Sequence, residues 1–201
     1  MTKKVIIVGA GENGYVIVNI LKRKYSIAGF LDDRKRGKHI LGKINQFSKY
    51  KKSHLFFVNI GNNKVRKNIY LLMKSAGAKF VNAIHVLSFV EKTAKIGENV
   101  FIGAMTYINV NASIGDNSFI NNGCIIEHDN EISAHTHVAP GVITGGRVVI
   151  GTGSFIGLGS RINDHTKIGN NVTIGSGSVV IGPIASNTTA VGIPAHIIKK
   201  L

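Results

Sequence analysis

The sequence predicts a chain of two parts, α/β followed by all-β: a small βαβ unit over residues 1–85 and a parallel β-helix over residues 86–201. Three observations predict it. An apolar run, Val5-Ile6-Ile7-Val8, closes on a complete G-x-G-x-x-G, Gly9-Ala10-Gly11-Glu12-Asn13-Gly14. From Ile96 to Val180 an aliphatic residue returns every six positions. The net charge of +15 is confined to one part, since residues 1–90 hold 18 Lys and Arg against 3 acidic residues whereas residues 91–201 hold 7 of each.

An apolar run ended by glycine reads as a buried parallel strand, and the glycines lead into a helix expected to reach Lys24. A second strand, Ile27 to Leu31, ends at Asp32-Asp33. A third, Leu55 to Ile60, ends at Gly61-Asn62-Asn63 and opens a second helix over Lys64 to Ala76, with Lys79 to Ile84 expected as a fourth strand. Glycine suits the first turn because backbone N–H groups at a helix N-terminus reach phosphate oxygens only where no Cβ intrudes. Acidic residues after the second strand suit a ribose or a base. The motif invites an NAD reading, but some 85 residues supply about one mononucleotide-binding half, so a single nucleotide is expected. The basic excess fits an anionic partner. Charge alone suits nucleic acid or an acidic surface equally, yet no aromatic stacking pattern accompanies the basic residues, so no nucleic acid partner is expected.

The six-residue series matches neither a helix period nor a flat strand, but it suits a triangular coil in which three hexapeptides make one turn. Its fifteen steps correspond to five coils, with Thr144 the one non-aliphatic step. Four places after each aliphatic residue stands a small or β-branched one, with Asn130 the exception, and glycine often occupies the place directly after the aliphatic residue. Cys124 occupies one of the small positions and reads as a core residue; a lone cysteine forms no internal disulfide and has no neighbour at metal-ligand spacing.

Chemistry is expected at Glu127-His128-Asp129, which adjoins the break in the small-residue rule at Asn130. Histidine suits a general base near neutral pH, and a neighbouring carboxylate, Asp129 or Glu127, can fix its tautomer. No triad serine, phosphate loop or zinc motif is present. With no stretch of 18 apolar residues and no signal pattern after Met1, a soluble cytoplasmic protein without membrane insertion is expected.

The repeat resembles the hexapeptide-repeat acyltransferases over about 85 residues. With the βαβ unit before it and Val191-Gly192-Ile193-Pro194-Ala195 after it, nearly the whole chain resembles the nucleotide-sugar N-acetyltransferases that include the bacillosamine-pathway enzyme and the sialic-acid O-acetyltransferase group. The resemblance implies a Rossmann-like nucleotide-binding domain, a left-handed β-helix, and a homotrimer with active sites in clefts between neighbouring prisms. It implies acetyl transfer from acetyl-CoA to the amine of a UDP-, dTDP- or GDP-linked amino sugar in surface-glycan synthesis. O-acetylation of a sialic acid or related sugar is the alternative the same base supports, and a non-catalytic trimeric nucleotide-binding protein is the alternative of another class.

Carried over residue by residue, the resemblance implies nucleotide contacts at Gly11, Asp32, Asp33, Gly61, Asn62 and Asn63, with Lys64 and Arg66 beside a diphosphate. Where the family usually reads Gly-Gly-His this chain has Glu12-Asn13; Asn13 keeps hydrogen-bonding capacity without charge. His128 becomes the general base and Asp129 its orienting partner. His137 becomes a residue near the thioester, Gly146 the oxyanion donor, and Leu158, Gly175 and Ser176, with Gly177 beside them, contacts of coenzyme A. His165 reads as a surface residue and His85 as a structural residue at the domain junction.

Overall fold

Val5, Ile6, Ile7 and Val8 are all fully buried in the computed structural model, which describes residues 3–200. They belong to β1 (Lys4–Val8), flanked by β2 (Ser26–Leu31) and β4 (Leu55–Val58), with β3 (Ile40–Gly42) outside β2. All four strands are parallel, in the order β3-β2-β1-β4. Helix α1 (Gly14–Leu21) links β1 to β2, and helix α2 (Asn63–Ser75) follows β4. The core gathers Ile6, Val8, Leu31, Phe56, Val58, Tyr70 and Met73, and each such side chain contributes about 1.5–3 kcal/mol relative to exposure.

Helix α1 stops at Leu21, earlier than expected, because Lys24 and Tyr25 both return their N–H groups to the Leu21 carbonyl and close a turn. The short β3 and the 3-10 turn Ile44–Lys49 went unanticipated, being too brief to show a period. The expected fourth strand, Lys79 to Ile84, is corrected. Only Phe80 bridges Phe56, and Ile84 belongs to the repeat, since Ile84 and Val90 stand twelve and six residues before Ile96. Compact units accordingly run Met1–Ala83 and Ile84–Leu201.

The second unit is a left-handed parallel β-helix with three faces. Face one includes Phe101–Ile102, Phe119–Ile120, His137–Val138, Phe155–Ile156 and Thr173–Ile174. Face two runs from Phe89–Val90 through Ile125–Ile126 and Ile143–Thr144 to Val179–Val180, and face three from Lys95–Ile96 through Glu131–Ile132 and Val149–Ile150 to Lys167–Ile168. In each two-residue strand the second residue points inward, and these stack coil upon coil. The small positions also face inward, and several of their hydroxyls donate to the carbonyl fifteen residues ahead, as in Thr106 to Asn121 at 2.7 Å, Ser118 to Ser133 at 3.1 Å, Ser154 to Gly169 at 2.9 Å and Ser160 to Gly175 at 3.0 Å. A buried hydroxyl thereby keeps its hydrogen bond inside an aliphatic core. Every corner also carries one left-handed residue, at six-residue intervals from Asn99 to Gly177. Most are Asn, Gly, Asp or His, which tolerate that conformation; Met105 and Arg147 do not share that tolerance. Beyond the coils Thr188–Val191 pairs in parallel with Thr173–Ile174 and antiparallel with His196–Lys200. Among the described residues no helix is long and apolar enough to cross a membrane.

Candidate active site

His128 and Asp129 occupy the corner between faces two and three, with Asp129 as its left-handed residue at φ 56°. That conformation turns the carboxylate back onto the imidazole, placing Asp129 Oδ2 at 3.0 Å from His128 Nδ1. The Asn111 amide donates to Asp129 Oδ1 at 3.1 Å, and Arg147 Nε lies 3.9 Å from Oδ2. The hydrogen bonds from His128 and Asn111 hold the Asp129 carboxyl below the usual carboxylate range. Since this group is the ionised acceptor, Nδ1 carries the proton of the neutral ring and Nε2 keeps the lone pair. Nε2 points toward Gly146: a Cβ added there would lie 2.6 Å from both Nε2 and Cε1. The His128 side chain is 43% exposed, open enough to meet a substrate.

Asp129, not Glu127, therefore touches the ring. Glu127 Oε2 is occupied by Asn109 Nδ2 at 2.7 Å and by the His128 N–H at 3.3 Å, so it holds the backbone of the corner. The two breaks in the repeat serve the same corner. Thr144 Oγ1 accepts the Glu127 N–H at 3.2 Å and donates to the Ile125 carbonyl at 3.3 Å. Asn130 Nδ2 donates to the Gly145 carbonyl at 2.8 Å, the same fifteen-residue bond the hydroxyls make, and also to the Glu127 carbonyl at 2.8 Å. An amide does both because it carries two N–H donors where a hydroxyl has one.

The residues expected along coenzyme A lie elsewhere on the prism. Leu158, which is 52% exposed, and Gly175-Ser176 sit at the corner between faces one and two. His137 lies on face one, half-buried between the rings of Phe119 and Phe155, 5.8 and 5.2 Å away between centroids. Of that set only Gly146 stands beside His128 within one chain. His165 is exposed, its Nε2 3.8 Å from Asp164 Oδ2, and His85 Nδ1 accepts the Leu87 N–H at 3.1 Å.

In the first unit the three motif glycines have different tasks. Gly9, at φ +100°, lies where a Cβ would strike the Asn59 carbonyl, and Gly14 packs on the Phe30 ring. Gly11 has open space where its Cβ would point, as does Gly61, and both line a cleft of about 400 Å³ with Asp32, Asp33 and Asn62. That opening is what close approach of a phosphate to a backbone requires. A second cleft of about 330 Å³ begins on the other side of Gly11 and carries Lys35, Arg36 and Lys38.

Several expected contact residues are already engaged. Asp32 accepts the N–H groups of Ala10, Arg34 and Lys35 at 2.7–2.8 Å; burial pushes its carboxyl up, but these bonds outweigh burial and bring it below its ordinary value. Asp33 Oδ1 accepts the Ile44 N–H at 2.9 Å, Asn62 caps α2 by accepting from Val65 at 3.0 Å, and Asn13 Nδ2 lies 3.5 Å from Asn59 Oδ1. Arg66 is corrected as a diphosphate neighbour. It is fully buried, donates to the carbonyls of Ile60 and Gly61 and to Asn63 Oδ1 at 2.9, 3.3 and 2.8 Å, and is pushed by burial down to about 9. Lys64 alone of the expected basic pair is exposed, in the first turn of α2. Among the described residues no group of three His, Cys, Asp or Glu is placed to hold a metal.

Residues 4–71 match the family model of the PglD N-terminal domain, residues 93–128 that of the bacterial transferase hexapeptide (six repeats), and residues 147–181 that of the hexapeptide repeat of succinyl-transferase. A perosamine N-acetyltransferase from Caulobacter crescentus, solved with CoA and GDP-perosamine as a variant with one histidine replaced by asparagine, is similar over 98% of this chain and 97% of its own at 29% identity and TM-score 0.93. The acetyltransferase domain of PglB from Neisseria gonorrhoeae, solved with acetyl coenzyme A, is similar over 98% of this chain and all of its own, 100%, at 28% identity and TM-score 0.94. WeeI from Acinetobacter baumannii shares the fold, with TM-score 0.89 at 22% identity over 98% and 100% of the two chains.

Proposed function

We propose that this chain is a hexapeptide-repeat nucleotide-sugar acetyltransferase that moves the acetyl group of acetyl-CoA to the amino group of a nucleotide-linked amino sugar. The observation that carries the reading is His128, held by Asp129 at 3.0 Å and packed on Gly146, in a chain similar over its length to N-acetyltransferases solved with coenzyme A and a nucleotide-linked sugar. The open backbone at Gly11 and Gly61 supports a nucleotide in the first unit, with Lys64 exposed in the first turn of α2 and Asp32 and Asp33 shaping the loops.

In this reading His128 Nε2 takes the proton of the sugar amine as its lone pair attacks the thioester carbonyl carbon. Asp129 keeps the ring in the Nδ1–H tautomer and stabilises the imidazolium. The Gly146 N–H, which makes no hydrogen bond among the described residues, meets the oxyanion. The carbon–sulfur bond then breaks, and His128 returns the proton to the departing thiolate. No acyl-enzyme forms, and Cys124 takes no part, being fully buried and pushed up to about 11 by burial.

Leu158, Gly175, Ser176 and His137 contact the acyl donor in the same reading, and they stand a full prism face away from His128 in one chain. A complete site therefore joins the His128 corner of one copy to face one of another, which supports a homotrimer. The enzyme is assigned to the cytoplasm and to surface-glycan synthesis, where activated sugars are made.

The test is thiol release from acetyl-CoA over nucleotide-linked amino sugars and sialic acid, with wild type and His128→Ala in parallel. Turnover on an amino sugar that falls by about 10³ in the variant is expected. Turnover on sialic acid alone assigns O-acetylation instead, undiminished turnover in the variant removes His128 as the base, and absence of both release and acetyl-CoA binding leaves a non-catalytic binding protein.

A further inference from the structure

The positive charge of the first unit lies on two opposite edges of its sheet, and the two clefts described above open at one of them. Because the strands are parallel, the loops that follow them gather at one edge, where Gly11, Asp32 and Gly61 line the cleft. The segments that precede β1, β2 and β4 gather at the other. Lys3 and Lys4 open β1; Lys22, Arg23 and Lys24 join α1 to β2; Lys49, Lys51 and Lys52 precede β4; and Lys79 precedes Phe80, which bridges Phe56 in parallel. All but Lys51 are exposed, and Lys51 donates to the Ala76 carbonyl at 2.8 Å. The 3 acidic residues of positions 1–90, Glu12, Asp32 and Asp33, all follow strands, so none stands at this edge. None of these nine cations forms an ion pair among the described residues.

The substrate reading accounts for cations at the clefts, such as Lys35, Arg36 and Lys38, and leaves these nine unexplained. Helices α1 and α2 end here, and a cation near each C-terminus offsets the helix dipole, but that needs about one charge per helix and acts only within the last turn. Partner chemistry narrows from composition. Eight of the nine are lysines, which act as hydrated point charges without the planar fork of arginine. The exposed large aromatic residues are elsewhere, Tyr15 at the cleft edge and Phe89 in the β-helix. Protein interfaces are depleted of lysine and rely on aromatic anchors, and single-stranded nucleic acids are held by aromatic stacking. An anionic bilayer asks only for a dense, non-directional basic surface, at about 1 kcal/mol per nearby charge.

We infer that the edge formed by Lys3, Lys4, Lys22–Lys24, Lys49–Lys52 and Lys79 docks the protein peripherally on an anionic lipid surface, with the cleft edge turned away from it.

Vesicle flotation of the full chain tests this, using neutral phosphatidylcholine and phosphatidylcholine with a rising share of phosphatidylglycerol, each at low and high salt. Binding that rises with the anionic share and is lost at high salt is expected. Reversal of Lys22, Arg23 and Lys24 to Glu weakens it by at least about tenfold, and a Lys49→Glu/Lys52→Glu variant reproduces the loss from a different element. Acetyl transfer in solution stays unchanged in both variants, showing that they fold. Equal binding to neutral and anionic vesicles, or binding indifferent to both variants, overturns the proposal, as does displacement from anionic vesicles by duplex DNA at matched charge concentration.

Discussion

Gly146 lies directly against the His128 imidazole, so close that a single methyl group on its Cα would come within 2.6 Å of Nε2. The ring is thus held from two sides, by the Asp129 carboxylate at Nδ1 and by a bare backbone under Nε2. Gly146 is not in the left-handed region, so alanine fits its backbone and disturbs only the ring. Gly146→Ala is expected to lower kcat/KM by about 10² through displacement of the base, with far-UV circular dichroism and Tm unchanged.

Asn130 and Thr144 depart from the repeat, yet both sustain the His128 corner. Thr144→Val keeps the shape but leaves the Glu127 N–H without its acceptor, and is expected to cost about 1 kcal/mol. Asn130→Ser restores the residue type of the repeat and the bond to Gly145, but releases the Glu127 carbonyl. It should leave denaturant stability within about 1 kcal/mol while kcat falls, because only the bond that braces the turn is lost. A fall in stability without any loss of kcat would assign Asn130 to the core alone.

Arg66 and Lys64 separate structure from binding. Arg66→Met is expected to destabilise the first unit by about 3 kcal/mol, since it strips donors from two carbonyls and the Asn63 amide. Lys64→Ala should raise KM for the nucleotide sugar with no change in Tm.

Asp32 links the first unit to acid. Its carboxyl is held below the ordinary value in the folded chain, so its stabilising contribution is present above the unfolded carboxylate value of about 3.9 and is lost as pH falls through the lower folded value. Asp32→Asn should lower stability at neutral pH and flatten the loss below about pH 4, as read by urea unfolding across pH.

Cys124 donates its thiol to the Ala139 carbonyl at 3.2 Å and is fully buried. With the thiol pushed up to about 11, alkylation by iodoacetamide at mildly basic pH should be negligible until the β-helix unfolds.

The β-helix was legible because a hexapeptide rung is a local unit: Ile102, Ile108 and Ile114 each point inward for the same reason, and the period survives in the sequence unaided. Ile84 and Val90 carry the same spacing, but Ile84 also ends a stretch, Lys79 to Ile84, that suits a strand of the first unit. The His128-Asp129 pair was legible as neighbours. The choice of Asp129 over Glu127 was not, because both flank the histidine in sequence and only the left-handed turn at Asp129 brings its carboxylate to Nδ1.

By itself the sequence determined the repeat, the glycine turn, the histidine and the confinement of basic charge to the first 90 residues, all of which are periods, spacings or counts along the chain. Only the tertiary structure decided that Arg66 is a buried brace, that Asn130 and Thr144 serve one corner, that Gly146 supports the His128 ring, and that nine of the 18 basic residues of positions 1–90 stand at the sheet edge opposite Gly11 and Asp32. Those facts depend on which coil lies above which and on the common direction of parallel strands, and no local pattern encodes a contact made fifteen or eighteen residues away.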